Sequence, residues 1–463
     1  MAAVTVVGGG LAGCEAAWQL AARGHEVTLL EMRPVRRTPA HRTDRLAELV
    51  CTNSFKSEEI TNAHGLLKAE MRALGSLLLA AAEPARVPAG ASLAVDRDLF
   101  SARMTEAVLG HPRVRVERRE LTALPEGPAV IATGPLTSAA LTQAIAARLG
   151  ADNLAFYDAI APIVSFESID LEHAFYASRY GKGAGEDYLN CPLDREAYYA
   201  FVEALRAADV YPGHDWENIR FGEGGEAPPP EDGTPYFEGC LPIEVLAERG
   251  ADALRFGPMK PVGLRDPRTG RVPFAVVQLR REDRAGQMWN LVGCQTRLRT
   301  GEQRRIFRMI PGLAEAEFLR YGSIHRNTYL NFPATLTPWG SPRDRADLIF
   351  AGQLTGVEGY TESAASGILA GINLDRIVRG ETPVLPPPTT MIGALYRYLR
   401  DGDARNFQPM NSNFGLLDPL SGGPRDKRRR RELMAERALG DLAAWREGHG
   451  ITPAPVPGTE VHA

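Results

Sequence analysis

The sequence predicts an α/β protein: a Rossmann-like doubly wound sheet, interrupted by a smaller α+β insertion and followed by a helical C-terminal extension. Three observations predict it. An apolar strand, Val4-Thr5-Val6-Val7, runs straight into Gly8-Gly9-Gly10-Leu11-Ala12-Gly13 and then into a helical pattern. Apolar runs ending on glycine recur at 129–134 and 348–352. From about residue 161 the chain turns to aromatic and polar segments broken by Gly and Pro, including Pro228-Pro229-Pro230 in a loop over 223–235. The expected boundaries are 1–160 and 320–385 for the two parts of the sheet domain, 161–319 for the insertion and 386–463 for the extension.

Each element of the opening unit has a physical reason. Gly8 must turn tightly off the strand, Gly10 must let backbone approach a pyrophosphate, and Gly13 must let the helix pack on the sheet. Ala16, Ala17, Leu20 and Ala21 fall at helical spacing over 13–23, and Gly24 stops the helix. Its amino end would aim free N–H groups at the phosphates of an adenine dinucleotide. Glu31, ending the strand Glu26-Val27-Thr28-Leu29-Leu30-Glu31, stands where an acid takes ribose hydroxyls, and its charge argues against a 2'-phosphate. The late strand ending at Gly352 precedes a helix over 361–372 rich in Ala, Gly and Ser, whose amino end would face the same cofactor. No second GxGxxG follows, because Gly181, Gly183 and Gly185 have the wrong spacing. A built-in nicotinamide domain is therefore not expected.

Bulk properties narrow the class. With 463 residues and 44% hydrophobic content the chain can bury a large core, and no apolar run reaches the length of a membrane span. The first residues read as a buried strand rather than a leader, so no membrane partner and a cytoplasmic location are expected. The five cysteines never form CxxC, which supports neither a disulfide framework nor a structural metal; an important cysteine should act as a thiol. A net charge of −4 gives no global pull on nucleic acid, so an RNA partner needs local basic patches. Oligomeric state is not set by these properties.

Cys51, in Glu48-Leu49-Val50-Cys51-Thr52-Asn53-Ser54, and Cys240, in Glu238-Gly239-Cys240-Leu241-Pro242, lie in loop-like contexts. A loop thiol near a helix start or a positive group can be a nucleophile, whereas one on an apolar face is packing; locally both readings stand. Cys14, Cys191 and Cys294 read as packing. Arg297, Arg299, Arg304, Arg305 and Arg308 crowd one segment, and the run 427–431 includes Arg428 and Arg429. Either could bind RNA phosphates or form a solvated helix face, and Glu432 and Glu436 partly balance the second. His325 suits stacking on a planar ligand, acid–base work or a structural role.

Taken together, several long blocks resemble one family, the folate- and flavin-dependent tRNA uracil-5-methyltransferases. They are the opening glycine turn through Cys14-Glu15-Ala16-Ala17, Thr38-Pro39-Ala40-His41, the Cys51 and Cys240 segments, Phe256-Gly257-Pro258-Met259-Lys260-Pro261-Val262-Gly263-Leu264, Ile310-Pro311-Gly312-Leu313, His325-Arg326-Asn327-Thr328-Tyr329, and the stretch from Gly352-Gln353 to Glu362-Ser363. The match runs over nearly the whole chain. Cys14 stands where serine or alanine is expected, and Cys294 where an aromatic residue is.

The resemblance implies a glutathione-reductase type FAD-binding domain, with Gly8, Gly9, Gly10, Leu11, Ala12, Gly13, Glu31, Gly352, Gln353, Glu362 and Ser363 at the cofactor. It implies methylation of C-5 of the T-loop uridine of tRNA, with 5,10-methylenetetrahydrofolate as carbon donor, reduced FAD as methylene carrier and reductant, and NADH or NADPH supplying electrons from solution. It also implies Cys51 and Cys240 as the catalytic pair, His325 near the folate pterin, and Lys260 near folate or RNA anions. The need for a thiol is independent of the resemblance, because C-5 of uracil is a poor nucleophile until something adds at C-6. Cys240 is the expected adding nucleophile and Cys51 the partner that assists proton transfer or protects the carrier; the reverse order stays open. A wobble-uridine modifier, a non-catalytic tRNA-binding flavoprotein and a small-molecule flavin oxidase are the competing readings.

Overall fold

The structure is a computed structural model and describes residues 1–38, 40–150, 154–211 and 240–457. The predicted loop over 223–235 lies outside the described residues. The chain opens with β1 (Ala3–Val7), α1 (Leu11–Ala22) and β2 (Glu26–Glu31). A three-stranded antiparallel sheet follows from β3 (Ser54–Ser57), β4 (Arg86–Val87) and β5 (Ser92–Val95), with α2 (Ala63–Ala73) and α3 (Leu77–Ala82) between its first two strands. The chain then forms α4 (Arg97–Gly110), β6 (Val114–Arg118), β7 (Ala129–Ile131) and α5 (Ala139–Leu149). A long strand β8 (Leu154–Ile160) leads to β9 (Ile163–Ser165), β10 (Phe175–Tyr176), β11 (Tyr188–Leu193) and α6 (Arg195–Arg206). After α7 (Ile243–Glu248) and α8 (Ala253–Phe256) come β12 (Ala275–Arg281), β13 (Met288–Val292), α9 (Thr300–Phe307) and β14 (Phe318–Arg320). Finally β15 (Ser323–Tyr329), α10 (Phe332–Thr335) and β16 (Leu348–Phe350) precede α11 (Tyr360–Val378), α12 (Met391–Asp401) and α13 (Lys427–Gly448).

Five strands make an all-parallel sheet in the order β16-β7-β1-β2-β6, so the two predicted glycine-ended strands join the opening unit side by side. Alternation sorts their side chains: Val4, Val6, Val27, Leu29, Val130 and Ile349 enter the core beneath α1 and α11, while Val7, Leu30, Ile131, Leu348 and Phe350 enter the core on the opposite face. Both faces are covered, which explains why these strands read as continuous apolar runs. Six antiparallel strands, β10-β11-β12-β13-β9-β14, form a second sheet with its own core under α6. The antiparallel pair β8–β15 carries the chain out of the first sheet region and back.

The small residues of α11 have a packing cause. A Cβ on Gly367 would lie 2.1 Å from the Ala12 carbonyl oxygen, so α1 and α11 approach backbone to backbone. Buried glutamates cap neighbouring helices: Glu15 accepts from Ser76 Oγ and the N–H groups of Leu77 and Leu78 at the start of α3 (2.5, 3.1 and 2.9 Å). Glu70 accepts from the N–H groups of Met391 and Ile392 at the start of α12 (2.6 and 2.9 Å), and burial pushes its carboxyl up to about 8. No helix among the described residues is long and apolar enough to cross a membrane.

Candidate active site

The glycine turn forms as its spacing requires. Gly8 has φ +101°, and an added Cβ would meet the Ala132 oxygen at 2.5 Å; one on Gly13 would meet the Gly8 oxygen at 1.8 Å. At Gly10 a Cβ would meet nothing within 4 Å, because that position faces open space. This space is a pocket lined by Gly8, Gly9, Gly10, Leu11, Ala12, Glu31, Gly352, Gln353 and Ser363. Gly13 lies behind it, at the contact of helix and strand. The first N–H groups of α1, which have no intrahelical partner, begin at this lining.

Glu31 needs a fuller account than its position in sequence suggested. One of its oxygens accepts from the Gly9 N–H and the other from the Arg33 N–H and Nε, each at 2.9 Å. Burial raises its carboxyl, but the hydrogen bond and charge of Arg33 outweigh it and hold the group below its ordinary value. Arg33 is itself buried and also reaches Glu48 at 3.1 Å. The charge of Glu31 is therefore largely offset, and the argument from it against a 2'-phosphate weakens.

A second pocket adjoins the first and shares Val50, Pro135, Leu136, Gln353 and Tyr360 with it. It holds both loop cysteines, Cys51 and Cys240, with Thr52, His64, Asn327, Glu362 and Asn411. The Cys51 segment is clamped from several elements. Arg97, at the start of α4, donates to the carbonyls of Leu49 and Cys51 at 2.7 and 2.8 Å and is anchored by buried Glu282 at 2.5 Å. Arg280 of β12 donates to Thr52 Oγ1 and Asn53 Oδ1 (2.7 and 2.9 Å), and Arg320 of β14 to the Val50 carbonyl (2.8 Å). The Cys51 N–H donates to the Tyr360 hydroxyl at 2.7 Å. The second sheet thus sends two guanidinium groups to fix a loop of the first. Cys14, Cys191 and Cys294 are fully buried, and burial raises all three thiols, the last two to about 12, as packing residues should be.

Other expected residues fall elsewhere. Glu362 lines the thiol pocket, where burial raises its carboxyl but hydrogen bonds from His64 and Ser412 bring it down to about 2. Lys260 is exposed and lines neither pocket. His325 pairs with Asp158 in the β15–β8 ladder, and its side chain lies outside the described set. Arginines of the 297–308 cluster make contacts within the protein. The Arg297 backbone N–H donates to Glu244 (2.8 Å), and the Arg299 guanidinium lies over the Tyr211 ring (5.3 Å). Arg304 bonds the Tyr321 hydroxyl, Arg305 pairs with Glu302, and Arg308 donates to the Ala316 carbonyl. Arg428 and Arg429 sit exposed on the first turns of α13 and pair with Glu432 at 3.3 and 3.1 Å. Nearby Arg431 reaches the Thr61 carbonyl at 3.4 Å, three residues before His64. No group of residues suited to a metal ion occurs among the described residues. Sequence reasoning missed Arg97, Arg280, Arg320, Tyr360 and His64; only Tyr360 belongs to a block singled out in the sequence, and nothing local marks the others.

The family model described as glucose inhibited division protein A matches residues 3–382. A methylenetetrahydrofolate–tRNA-(uracil-5-)-methyltransferase TrmFO of Geobacter sulfurreducens is 56% identical over 444 residues, covering 96% of this chain and 98% of the relative. Its namesake in Symbiobacterium thermophilum is 55% identical over 448 residues, covering 96% and 97%. Among solved structures, Aquifex aeolicus GidA in its form II crystal superposes with a TM-score of 0.67 at 16% identity, covering 97% of this chain and 75% of that one, which speaks for the fold alone. The chain belongs to the glucose inhibited division protein A family, and within it to the group whose members carry the TrmFO name.

Proposed function

We propose that the protein methylates C-5 of the T-loop uridine of tRNA (position 54), taking the one-carbon unit from 5,10-methylenetetrahydrofolate. The observation that carries this reading is the junction of the glycine-built pocket with the pocket holding Cys51 and Cys240. The substrates come from the names of relatives 52–56% identical over nearly the full length.

The open face at Gly10, the helix start at Leu11 and Ala12, and Glu31 fit an adenine dinucleotide, and Gly352, Gln353 and Ser363 border the same space. FAD held there would supply electrons and one-carbon transfer chemistry, with NADH or NADPH as reductant from solution. Cys240 adds through its thiolate at C-6 of the uracil, forming an S–C bond and pushing the C-5=C-6 pair into an enolate at C-5 and O-4. Cys51, held through its own backbone by Arg97 and Tyr360 and through neighbouring Val50 by Arg320, assists proton transfer or guards the carrier. His325 and Lys260 remain candidates for the pterin and for anionic groups. Arg428 and Arg429 suit RNA phosphates, with Arg297, Arg299, Arg304 and Arg305 a second candidate surface. In this reading 1–160 and 320–385 hold the flavin, 161–319 buttresses the Cys51 loop, 386–463 meets RNA, and the reaction belongs in the cytoplasm.

The test is to supply unmodified tRNA with methylenetetrahydrofolate and reductant and map the methyl gain. Gain at the T-loop uridine, dependent on both additions, is expected. Activity with S-adenosylmethionine alone, or gain at the wobble position, would overturn the reading.

A further inference from the structure

We infer that His64 is the base that removes the C-5 proton of the target uracil, held for that work by Glu362 and Ser412. This rests on the methyl-transfer reading above.

His64 stands in the first turn of α2 and lines the same pocket as the two cysteines. Its Nδ1 lies 2.8 Å from Ser412 Oγ and 3.2 Å from Glu362 Oε1. The Ser412 hydroxyl donates to Glu362 Oε1 at 2.5 Å, so its proton is committed to the carboxylate and its oxygen is left to accept. Both neighbours of Nδ1 are therefore acceptors, which assigns the neutral ring's hydrogen to Nδ1 and leaves the Nε2 lone pair for another partner. No described protein group hydrogen-bonds Nε2, and the side chain is 19% exposed, as a group presented to a pocket should be.

Glu362 is built to support a positive ring. It is 1% exposed and also accepts from the Ser412 N–H at 3.0 Å and Thr361 Oγ1 at 2.9 Å. A buried carboxylate facing Nδ1 orients the imidazole and stabilises the imidazolium that forms when Nε2 takes a proton. The Ser412–Glu362 bonds by themselves join α11 to the 410–413 loop; His64 adds α2 and also opens into the pocket. In the step assigned to His64, the C-5–H bond breaks, its electron pair enters the pyrimidine as an enolate at O-4, and the proton goes to Nε2. Cys51 is thereby left the guarding role rather than that of terminal base.

His64→Asn tests this, because its amide N–H can replace the Nδ1 donor while nothing replaces Nε2. Wild-type and variant would be compared by tritium release from tRNA carrying [5-³H]uridine in the complete reaction, and by covalent trapping on tRNA carrying 5-fluorouridine, which needs addition at C-6 but no C-5 proton loss. The expected result is a fall in tritium release of about 100-fold or more with trapping kept within about threefold of wild-type. Ser412→Ala, which keeps the histidine and loosens its hold, is expected to lose about tenfold in tritium release with trapping intact. Retained release in His64→Asn, or equal losses of release and trapping in both variants, would overturn the assignment. A wild-type protein that traps no 5-fluorouridine and releases no tritium would overturn the methyl-transfer reading beneath it instead.

Discussion

The two adjoining pockets differ in what their centres demand. The dinucleotide pocket is lined by segments from Val7 to Ser363, but at its glycine turn the requirements are steric and local: φ +101° at Gly8, contact at Gly13, open space at Gly10. The thiol pocket is made by side chains from segments spread between residues 40 and 411, held by guanidinium groups that come from β12, β14 and the start of α4. A ligand that every member of a fold class binds can be served by a local turn. Chemistry particular to one substrate needs groups brought from distant parts of the chain.

That contrast can be broken or sharpened by substitution. Replacing either pocket cysteine by alanine should lower methylation by about 1,000-fold or more without bleaching the bound flavin, checked by turnover and by the visible spectrum. Arg97→Ala should leave flavin binding intact yet cost roughly 100-fold in turnover, because two carbonyls of the Cys51 loop lose their anchor. The glycines should divide by mechanism rather than by residue type. Gly13→Ala should destabilise the fold by about 1–3 kcal/mol in urea unfolding, whereas Gly10→Ala should leave stability unchanged and weaken dinucleotide binding by about tenfold or more.

Much of the first pocket was legible in the sequence because Gly8, Gly10, Gly13 and Glu31 act on neighbours within one strand–helix–strand unit. Even there Arg33, two residues beyond Glu31, was overlooked, since nothing in the spacing shows that its guanidinium folds back on the carboxylate. The central strands of the parallel sheet were readable because strands buried on both faces are apolar throughout, whereas their order came only from the structure. Cys51 and Cys240 were flagged as loop thiols, but their meeting in one pocket follows from packing between the two sheets. His64 looked like any helix-start residue; its partner Ser412 is 348 positions away. Such contacts leave no periodic trace.

Smaller effects should follow from charge. Burial raises the Glu70 carboxyl from 4.5 to about 8, so between those values the folded protein holds a proton that the unfolded chain has lost. Its contribution to stability therefore declines as pH rises through that window, and Glu70→Gln should flatten the decline in urea midpoints between pH 5 and 8. Smallest of all, Arg428→Ala should weaken tRNA binding severalfold and reduce the salt slope of log K by about one, leaving the rate at saturating tRNA unchanged.

The central claim is that the thiol pocket performs covalent chemistry on uracil beside the dinucleotide. Mass spectrometry of the protein after incubation with tRNA bearing 5-fluorouridine in the T-loop tests it most directly. The account predicts a covalent adduct on Cys240, present in wild-type and Cys51→Ala protein and absent from Cys240→Ala. An adduct that survives in both cysteine variants, or that maps to a residue outside the pocket, would contradict it.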